Sequence, residues 1–345
     1  MTKQIKVGET LIGGGAPISI QSMTNTKTWD IDNTLAQIRA LATAGCEVIR
    51  LAIPDERSAL ALQHIKKESP LPIVVDIHFD YKLALLSIEN GADKVRINPG
   101  NIGSSEKVEA VAKACAERNI PIRIGVNGGS LEKSILKKYG GVTPEAMVES
   151  AFSHIHLLEQ YNFDDICLSL KTSHVPTTMK SYQLMSQSSD YPLHLGVTEA
   201  GTLAMGTLKS AMGIGGLLSL GIGDTMRVTL TADPVEEIRV AKDILKVAGL
   251  RKEGAELISC PTCGRTNIDL IAIATQVEER LQTIDKPITV AVMGCVVNGP
   301  GEAAAAHCGI AGGDGEGILF CHGKVLKKLP QEHLVDALFD LINTL

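Results

Sequence analysis

Over its first stretch of about 250 residues the chain repeats one alternation, a short β-branched run followed by an amphipathic stretch at helical spacing. The runs are Ile18–Met23, Val48–Ile53, Ile73–Phe79, Val95–Asn98, Ile122–Val126, Ile166–Leu170, Leu193–Val197 and Met226–Leu230. Between them Ile31, Leu35, Ile38 and Ala42 share one helix face, as do Val108, Val111 and Cys115, and Val148, Ala151, Phe152, Ile155 and Leu158. Thr143-Pro144-Glu145 reads as an N-cap, a first-position proline and an acidic first turn. Gly45, Gly91 and Gly249 stand where helices should stop. Strands apolar on both faces and separated by helices need a parallel sheet. Eight such units predict an α/β fold, a (β/α)8 TIM barrel. A doubly wound open sheet would want a glycine-rich dinucleotide turn after its first strand. The early cluster Gly13-Gly14-Gly15 instead precedes the first run and reads as a turn.

After Gly249 the pattern changes. A polar connector, Ala248–Glu256, leads to a short strand, a cysteine-rich turn and a helix from about Ile268 to Gln282. A strand at Ile288–Met293, a long glycine-rich loop, two short strands and a C-terminal helix follow. The expected organisation is a barrel over residues 1–250 and a smaller α+β domain over residues 251–345. Gly312–Gly317 lacks the Lys-Ser/Thr of a phosphate loop and reads as a hairpin connection.

Charge recurs where a barrel core should be apolar. Arg50, Arg96, Arg123 and Arg227 lie within the runs, and Lys171 ends one. Asp76 alternates with His78, Arg96 with Asn98, Arg123 shares a face with Asn127, and Arg227 alternates with Thr229. Buried charge is costly unless paired or used. One inward arginine is ordinarily a structural ion pair. Cations on five or six strands, mostly toward the C-terminal half of each, fall at the end of a barrel that carries active sites. Arg50, Arg96, Arg123 and Lys171, with His78 nearby, suit a multiply charged anion, since guanidinium forks match phosphate oxygens. The net charge is -6 and aromatics make up only 3%, so this is local cationic focusing and not the bulk basicity or stacking surface of a nucleic-acid binder. Asp76 has a plain reading as an orienting salt-bridge partner. Glu199, in Gly196-Val-Thr-Glu-Ala-Gly201, is a candidate to move a proton to or from bound substrate.

The chain has 8 cysteines. With no leader-like apolar segment and no run long enough to span a membrane, they point to metal or redox chemistry in a cytoplasmic protein before disulfides. Cys260-Pro-Thr-Cys263 places two thiolates on one metal or cluster, and Cys295 follows in Gly294-Cys-Val-Val-Asn-Gly-Pro-Gly-Glu302. By residue type, His307 or Cys308 completes a zinc site, and Glu302 completes a three-cysteine, one-carboxylate site. The loop glycines favour a cluster whose sulfurs accept N–H bonds. Cys46, Cys115, Cys167 and Cys321 read as inert core residues.

Taken together, Val48-Ile-Arg-Leu, Asp76-Ile-His78, Arg96-Ile-Asn-Pro-Gly-Asn-Ile-Gly103, Arg123-Ile-Gly-Val-Asn127, Gly223-Asp-Thr-Met-Arg-Val, Cys260-Pro-Thr-Cys263 and the Gly294–Glu302 segment closely match one family. The chain resembles the bacterial 4-hydroxy-3-methylbut-2-en-1-yl diphosphate synthases of the methylerythritol phosphate route to isoprenoids, in their two-domain form. The resemblance implies a [4Fe–4S] cluster on Cys260, Cys263, Cys295 and Glu302. It implies 2-C-methyl-D-erythritol 2,4-cyclodiphosphate as substrate, gripped by Arg50, His78, Arg96, Arg123 and Lys171, with Asp76, Asn127 and Glu199 at polar active-site positions. Thr229 stands where many members carry Ser, and the hydroxyl is kept. The implied reaction is reductive ring opening and dehydroxylation. Flavodoxin or ferredoxin supplies electrons one at a time, Glu302 gives way to a substrate oxygen, and Glu199 provides a proton. A homodimer with the site shared between subunits is implied too. The principal rival is a Schiff-base sugar-phosphate lyase using Lys171, with a structural zinc. A non-enzymatic iron–sulfur sensor fits poorly with a cationic barrel mouth.

Overall fold

The computed structural model describes residues 1–98, 102–252, 254–295, 303 and 305–345. The chain divides into two compact units, Met1–Arg251 and Lys252–Leu345.

The first unit opens with two strands that hydrophobic periodicity does not reveal, because three residues are too few to show a period. β1 (Ile5–Val7) and β2 (Thr10–Ile12) form an antiparallel hairpin with Ile5 opposite Ile12. Ile5, Val7 and Ile12 pack on Val48, Val74 and Cys167, which stand in the early part of three barrel strands. The hairpin therefore plugs the N-terminal end of the barrel with apolar surface.

The barrel strands are β3 (Ser19–Met23), β4 (Val48–Ala52), β5 (Ile73–Asp76), β6 (Lys94–Ile97), β7 (Ile122–Asn127), β8 (Ile166–Lys171), β9 (His194–Leu195) and β10 (Thr225–Met226). All pair in parallel in sequential order, β10 returns to β3, and a bridge between Leu168 and Leu193 joins β8 to the start of β9. The eight-unit alternation thus yields the TIM barrel it predicts. β9 and β10 are shorter than their apolar runs. Beyond Leu195 the ladder stops at Gly196, and the following residues serve the mouth of the barrel.

Helices α1 (Ile31–Ala44), α2 (Glu56–Glu68), α3 (Tyr81–Glu89), α4 (Ser105–Glu117), α5 (Lys133–Tyr139), α6 (Pro144–Glu159), α7 (Val175–Ser188), α8 (Leu203–Ser210) and α9 (Pro234–Val247) accompany the strands. Their buried faces and the outward strand residues make one core, from Ile20 and Leu35 through Ile122 and Ile155 to Leu245. α6 starts as its sequence dictates, with Pro144 in the first turn and the Thr143 hydroxyl accepting the Ala146 N–H.

The second unit is a five-stranded sheet in the order β11 (Glu256–Ser259), β12 (Thr289–Met293), β13 (Cys308–Gly312), β14 (Glu316–Cys321), β15 (Lys324–Pro330). The first two joins are parallel and the last two antiparallel. Gly312 and Gly317 face each other across the β13–β14 hairpin, as the sequence suggests. Three strands follow the glycine-rich loop where two were expected, because the Lys-rich segment Lys324–Pro330 is an exposed edge strand with no apolar period to mark it. Helices α10 (Leu270–Leu281) and α11 (Leu334–Thr344) bury Ile273, Val277, Leu338 and Ile342 against Val290, Val292, Ile310 and Leu319.

Candidate functional site

Period-two geometry decides what the inside of the barrel contains. Above the plugged end, the inward positions carry Gln21 and Met23 on β3, Arg50 on β4, Asp76 on β5, Lys94 and Arg96 on β6, Arg123 on β7, Ser169 and Lys171 on β8, and His194 on β9. Asp76, Arg96, Arg123 and Lys171 are buried. Two glycines make the arrangement possible. A Cβ on Gly125 of β7 would lie 2.6 Å from Arg96 Nε, and one on Gly196 would run into Lys171 Nζ and lie 2.9 Å from the Arg227 carbonyl oxygen. The space a side chain would fill is taken by the neighbouring cation.

Asp76 organises the cationic group. Its Oδ1 accepts from Arg96 Nη1 at 2.9 Å, and its Oδ2 lies 3.8 Å from Arg50 Nε and 3.6 Å from His78 Nε2. Burial would raise the Asp76 carboxyl, but Arg50, the His78 contact and Arg96 outweigh burial and hold it well below the usual carboxylate range. Lys171 shows the opposite case. Burial, reinforced by Arg123, Arg50, Arg227 and Arg96, pulls its ammonium well below the ordinary lysine value. Among the described residues no carboxylate lies within salt-bridge range of Arg123. Its Nη1 reaches Ser169 Oγ at 3.4 Å, while its Nε and Nη2 are buried without a hydrogen-bond partner. Donors left unsatisfied in this number call for an anionic ligand or water.

Over this group opens a cavity of about 710 Å³ at the C-terminal ends of the strands. His78, Arg96, Asn127 and Glu199 line it, while Arg50, Asp76, Arg123, Lys171 and Thr229 do not. The sequence-predicted residues therefore fall into a rim and a buried floor. Glu199 is exposed at the rim with φ 51°, a left-handed conformation that is strained for a non-glycine residue. Thr229 is half-buried in the turn after β10. Sequence reasoning left out Ser130, Thr172, His174, Thr177 and Thr198 of the lining. They sit on loops or at a helix start, outside any period-two run. His174 caps α7, its Nδ1 2.8 Å from Thr177 Oγ1.

The cysteine module occupies one end of the second sheet. β11 and β12 are parallel with Ser259 opposite Val292, so Cys260 and Cys295 both follow the C-terminal ends of adjacent strands. The Gly294 N–H donates to Cys260 Sγ at 3.1 Å. Cys263 is exposed, and hydrogen bonds from Arg265 lower its thiol from the ordinary value. Soft sulfurs receiving N–H donors at the end of a sheet fit an iron–sulfur cluster. Among the described residues, no three His, Cys, Asp or Glu side chains are close enough together to hold a metal ion. Glu302 lies outside the described residues, as do residues 296–301.

Cys308 is excluded from this end. It pairs in register with Val290 at the start of β12, whereas Cys295 lies beyond the end of that strand. Five residues of extended chain separate the two positions, roughly 16 Å. Cys308 is instead buried opposite Cys321, and burial pushes its thiol up to about 11. His307 turns its Nδ1 to the Thr289 N–H at 2.9 Å, again at the far end. The zinc set that residue types alone allow does not assemble.

Comparison with known proteins bears on both units. The model described as the GcpE TIM-barrel domain matches residues 2–242, and that described as the GcpE protein C-terminal domain matches residues 256–344. A protein of Caldanaerobacter subterraneus subsp. tengcongensis named 4-hydroxy-3-methylbut-2-en-1-yl diphosphate synthase (flavodoxin) is 61% identical over 98% of this chain and 95% of its own length. One of the same name from Clostridium perfringens is 59% identical over 100% of this chain and 99% of its own. Among solved structures, an N-acetylneuraminic acid synthetase from Leptospira borgpetersenii covers 72% of this chain and 90% of its own, with TM-score 0.52 and 13% identity. A truncated 3-deoxy-D-arabino-heptulosonate 7-phosphate synthase from Thermotoga maritima covers 72% and 92%, with TM-score 0.51 and 13% identity. At such identity the two structures share the fold alone.

Proposed function

Because the chain belongs to the GcpE family, we propose that it carries out the reaction for which its relatives are named. That reaction is the reductive ring opening of 2-C-methyl-D-erythritol 2,4-cyclodiphosphate to 4-hydroxy-3-methylbut-2-enyl diphosphate. Two electrons and two protons enter, a C–O bond of the ring breaks, and one hydroxyl leaves as water. The observation that carries the reading is the buried cationic floor, Arg50, Arg96, Arg123 and Lys171 around Asp76, beneath an open cavity.

The floor binds the diphosphate. Arg123 offers unpartnered guanidinium N–H groups in fork geometry. Lys171 adds a charge whose ammonium form is favoured once an anion sits beside it. Asp76 stays ionised and fixes Arg96 and Arg50 in place before substrate arrives, so little reorganisation is needed on binding. His78 and Asn127 at the rim contact the same anion, and Thr229 supplies a hydroxyl donor. Glu199, held in strained backbone at the rim, is the proton donor to the departing oxygen.

A [4Fe–4S] cluster held by Cys260, Cys263, Cys295 and Glu302 supplies the electrons when bound. The relatives' names support flavodoxin as the donor, with ferredoxin the alternative. We place the enzyme in the cytoplasm. Among the described residues no helix is long and apolar enough to cross a membrane. Met205, Leu208 and Met212 are 54%, 63% and 58% exposed at helical spacing. This apolar stripe supports association of two copies.

Anaerobically purified protein should carry about four iron and four sulfide per chain and consume the cyclic diphosphate with reduced flavodoxin. Cys295→Ala should lose both. A colourless wild-type protein with one zinc, or borohydride trapping of a sugar phosphate on Lys171, would overturn the proposal in favour of the Schiff-base lyase.

A further inference from the structure

One buried carboxylate is unused by the scheme above. Glu237 stands in the first turn of α9, is 4% exposed, and lies outside the barrel between helix and sheet. The helix N-terminus favours its charge. Its carboxylate makes three contacts. Oε1 accepts the Leu230 N–H at 3.1 Å, Oε2 accepts the Ser22 hydroxyl at 3.1 Å, and Oε2 lies 3.5 Å from Arg227 Nε. The last is an ion contact without hydrogen-bond alignment, since Arg227 Nε has no hydrogen-bond partner. From there the Arg227 guanidinium runs to the sulfur of Met23, 3.5 Å from Nη1, and the same sulfur takes Arg50 Nη2 at 2.9 Å. A row Glu237–Arg227–Met23–Arg50 thus links the outside of the barrel to the cationic floor. The Leu230 contact also fixes the turn that carries Thr229.

We infer that Glu237 is a positioning residue: it aims Arg227 at the anion on the floor and holds the Thr229 turn in register with it. The inference rests on the diphosphate reading of that floor. A carboxylate that merely clasped helix to sheet would need the Ser22 and Leu230 contacts alone. The third contact, to Arg227, which no other carboxylate among the described residues touches, is what a clasp does not require. Without it, among the described residues Arg227 would face Arg50 and Lys171 with the Met23 thioether alone to steady it.

The test is Glu237→Gln in the full-length holoenzyme. Gln keeps the acceptor for the Leu230 N–H and removes the charge beside Arg227. We expect pyrophosphate, used as a plain diphosphate probe, to bind about tenfold more weakly by calorimetry, the weight of one charge-assisted contact. KM for the cyclic diphosphate should rise in parallel, with kcat within about twofold. In an Arg227→Met background the same change should add less than about twofold, because the two side chains act as a unit. Glu237→Asp, which keeps the charge but draws it back, should fall between wild type and Gln and serves if Gln folds poorly. Wild-type pyrophosphate binding in both variants, or a Gln defect that adds in full to Arg227→Met, overturns the inference. If wild type binds pyrophosphate but does not turn over the cyclic diphosphate, the functional proposal fails while the pyrophosphate cycle still decides the role of Glu237.

Discussion

Lys94 is wholly buried inside the barrel, and its ammonium has no hydrogen-bond partner among the described residues. Burial first, with Arg123 and Arg50 adding repulsion, lowers it from 10.5 to about 8. The sign of the consequence is fixed by linkage. Between about 8 and 10.5 the unfolded chain binds the proton more tightly than the folded one, so this group's contribution to stability rises with pH and is least favourable below 8. Lys94→Met keeps the volume and removes the charge. At pH 7 it should stabilise the protein by on the order of 2 kcal/mol, and thermal melts should show the gain shrinking as pH rises toward 10. A Met variant less stable than wild type at pH 7 would mean that Lys94 is compensated inside the barrel. Asp76 is the contrasting residue, a buried charge whose arginine neighbours and His78 contact outweigh its burial.

At the scale of elements, the site depends on where strands lack side chains. β7 has Gly125 facing Arg96, and the chain leaving β9 has Gly196 facing Lys171. Alanine at either position is compatible with its backbone angles, since neither glycine has positive φ. At Gly125 the methyl would meet the Arg96 guanidinium first, whereas at Gly196 it would also press on the Arg227 backbone carbonyl. Gly125→Ala should therefore raise KM about tenfold or more, the cost of misplacing one binding charge, while the melting temperature moves by only a few degrees. Steady-state kinetics beside a thermal melt checks this. A large loss of stability at unchanged KM would show that the glycine serves packing alone. The N-terminal hairpin works in the same economy of space. By closing the lower end with Ile5, Val7 and Ile12, it leaves the remaining interior free for polar groups.

At the scale of the molecule, one surface is apolar without cover. The Met205, Leu208 and Met212 stripe on and after α8 is accompanied by Leu203 at 37% exposure. If two copies associate there, Leu208→Glu with Met212→Glu should shift the protein to monomer in light scattering at micromolar concentration, by placing charge in an apolar contact. An unchanged dimer would put the interface elsewhere. The two units answer to different chemistry, one with an interior of cations and the other with thiols at one sheet end, and each has its own core.

Much of this was legible before any coordinates. The period of the apolar runs pointed to parallel strands and helices, and their number favoured a barrel over an open doubly wound sheet, because a one-dimensional pattern fixes which face of each element seeks burial. The same period marked Arg50, Asp76, Arg96, Arg123 and Lys171 as inward, since a strand sends alternate residues to one side. Four things needed the folded chain. The hairpin plug and the edge strand Lys324–Pro330 are too short or too polar to carry a period. The separation of Cys308 from Cys295 follows from the register of β12 with β13, which is a long-range pairing. The ties that Glu237 makes to Ser22, Arg227 and Leu230 join residues as far as 215 positions apart. Local pattern sets the direction in which a side chain points, and only tertiary structure decides what it meets there.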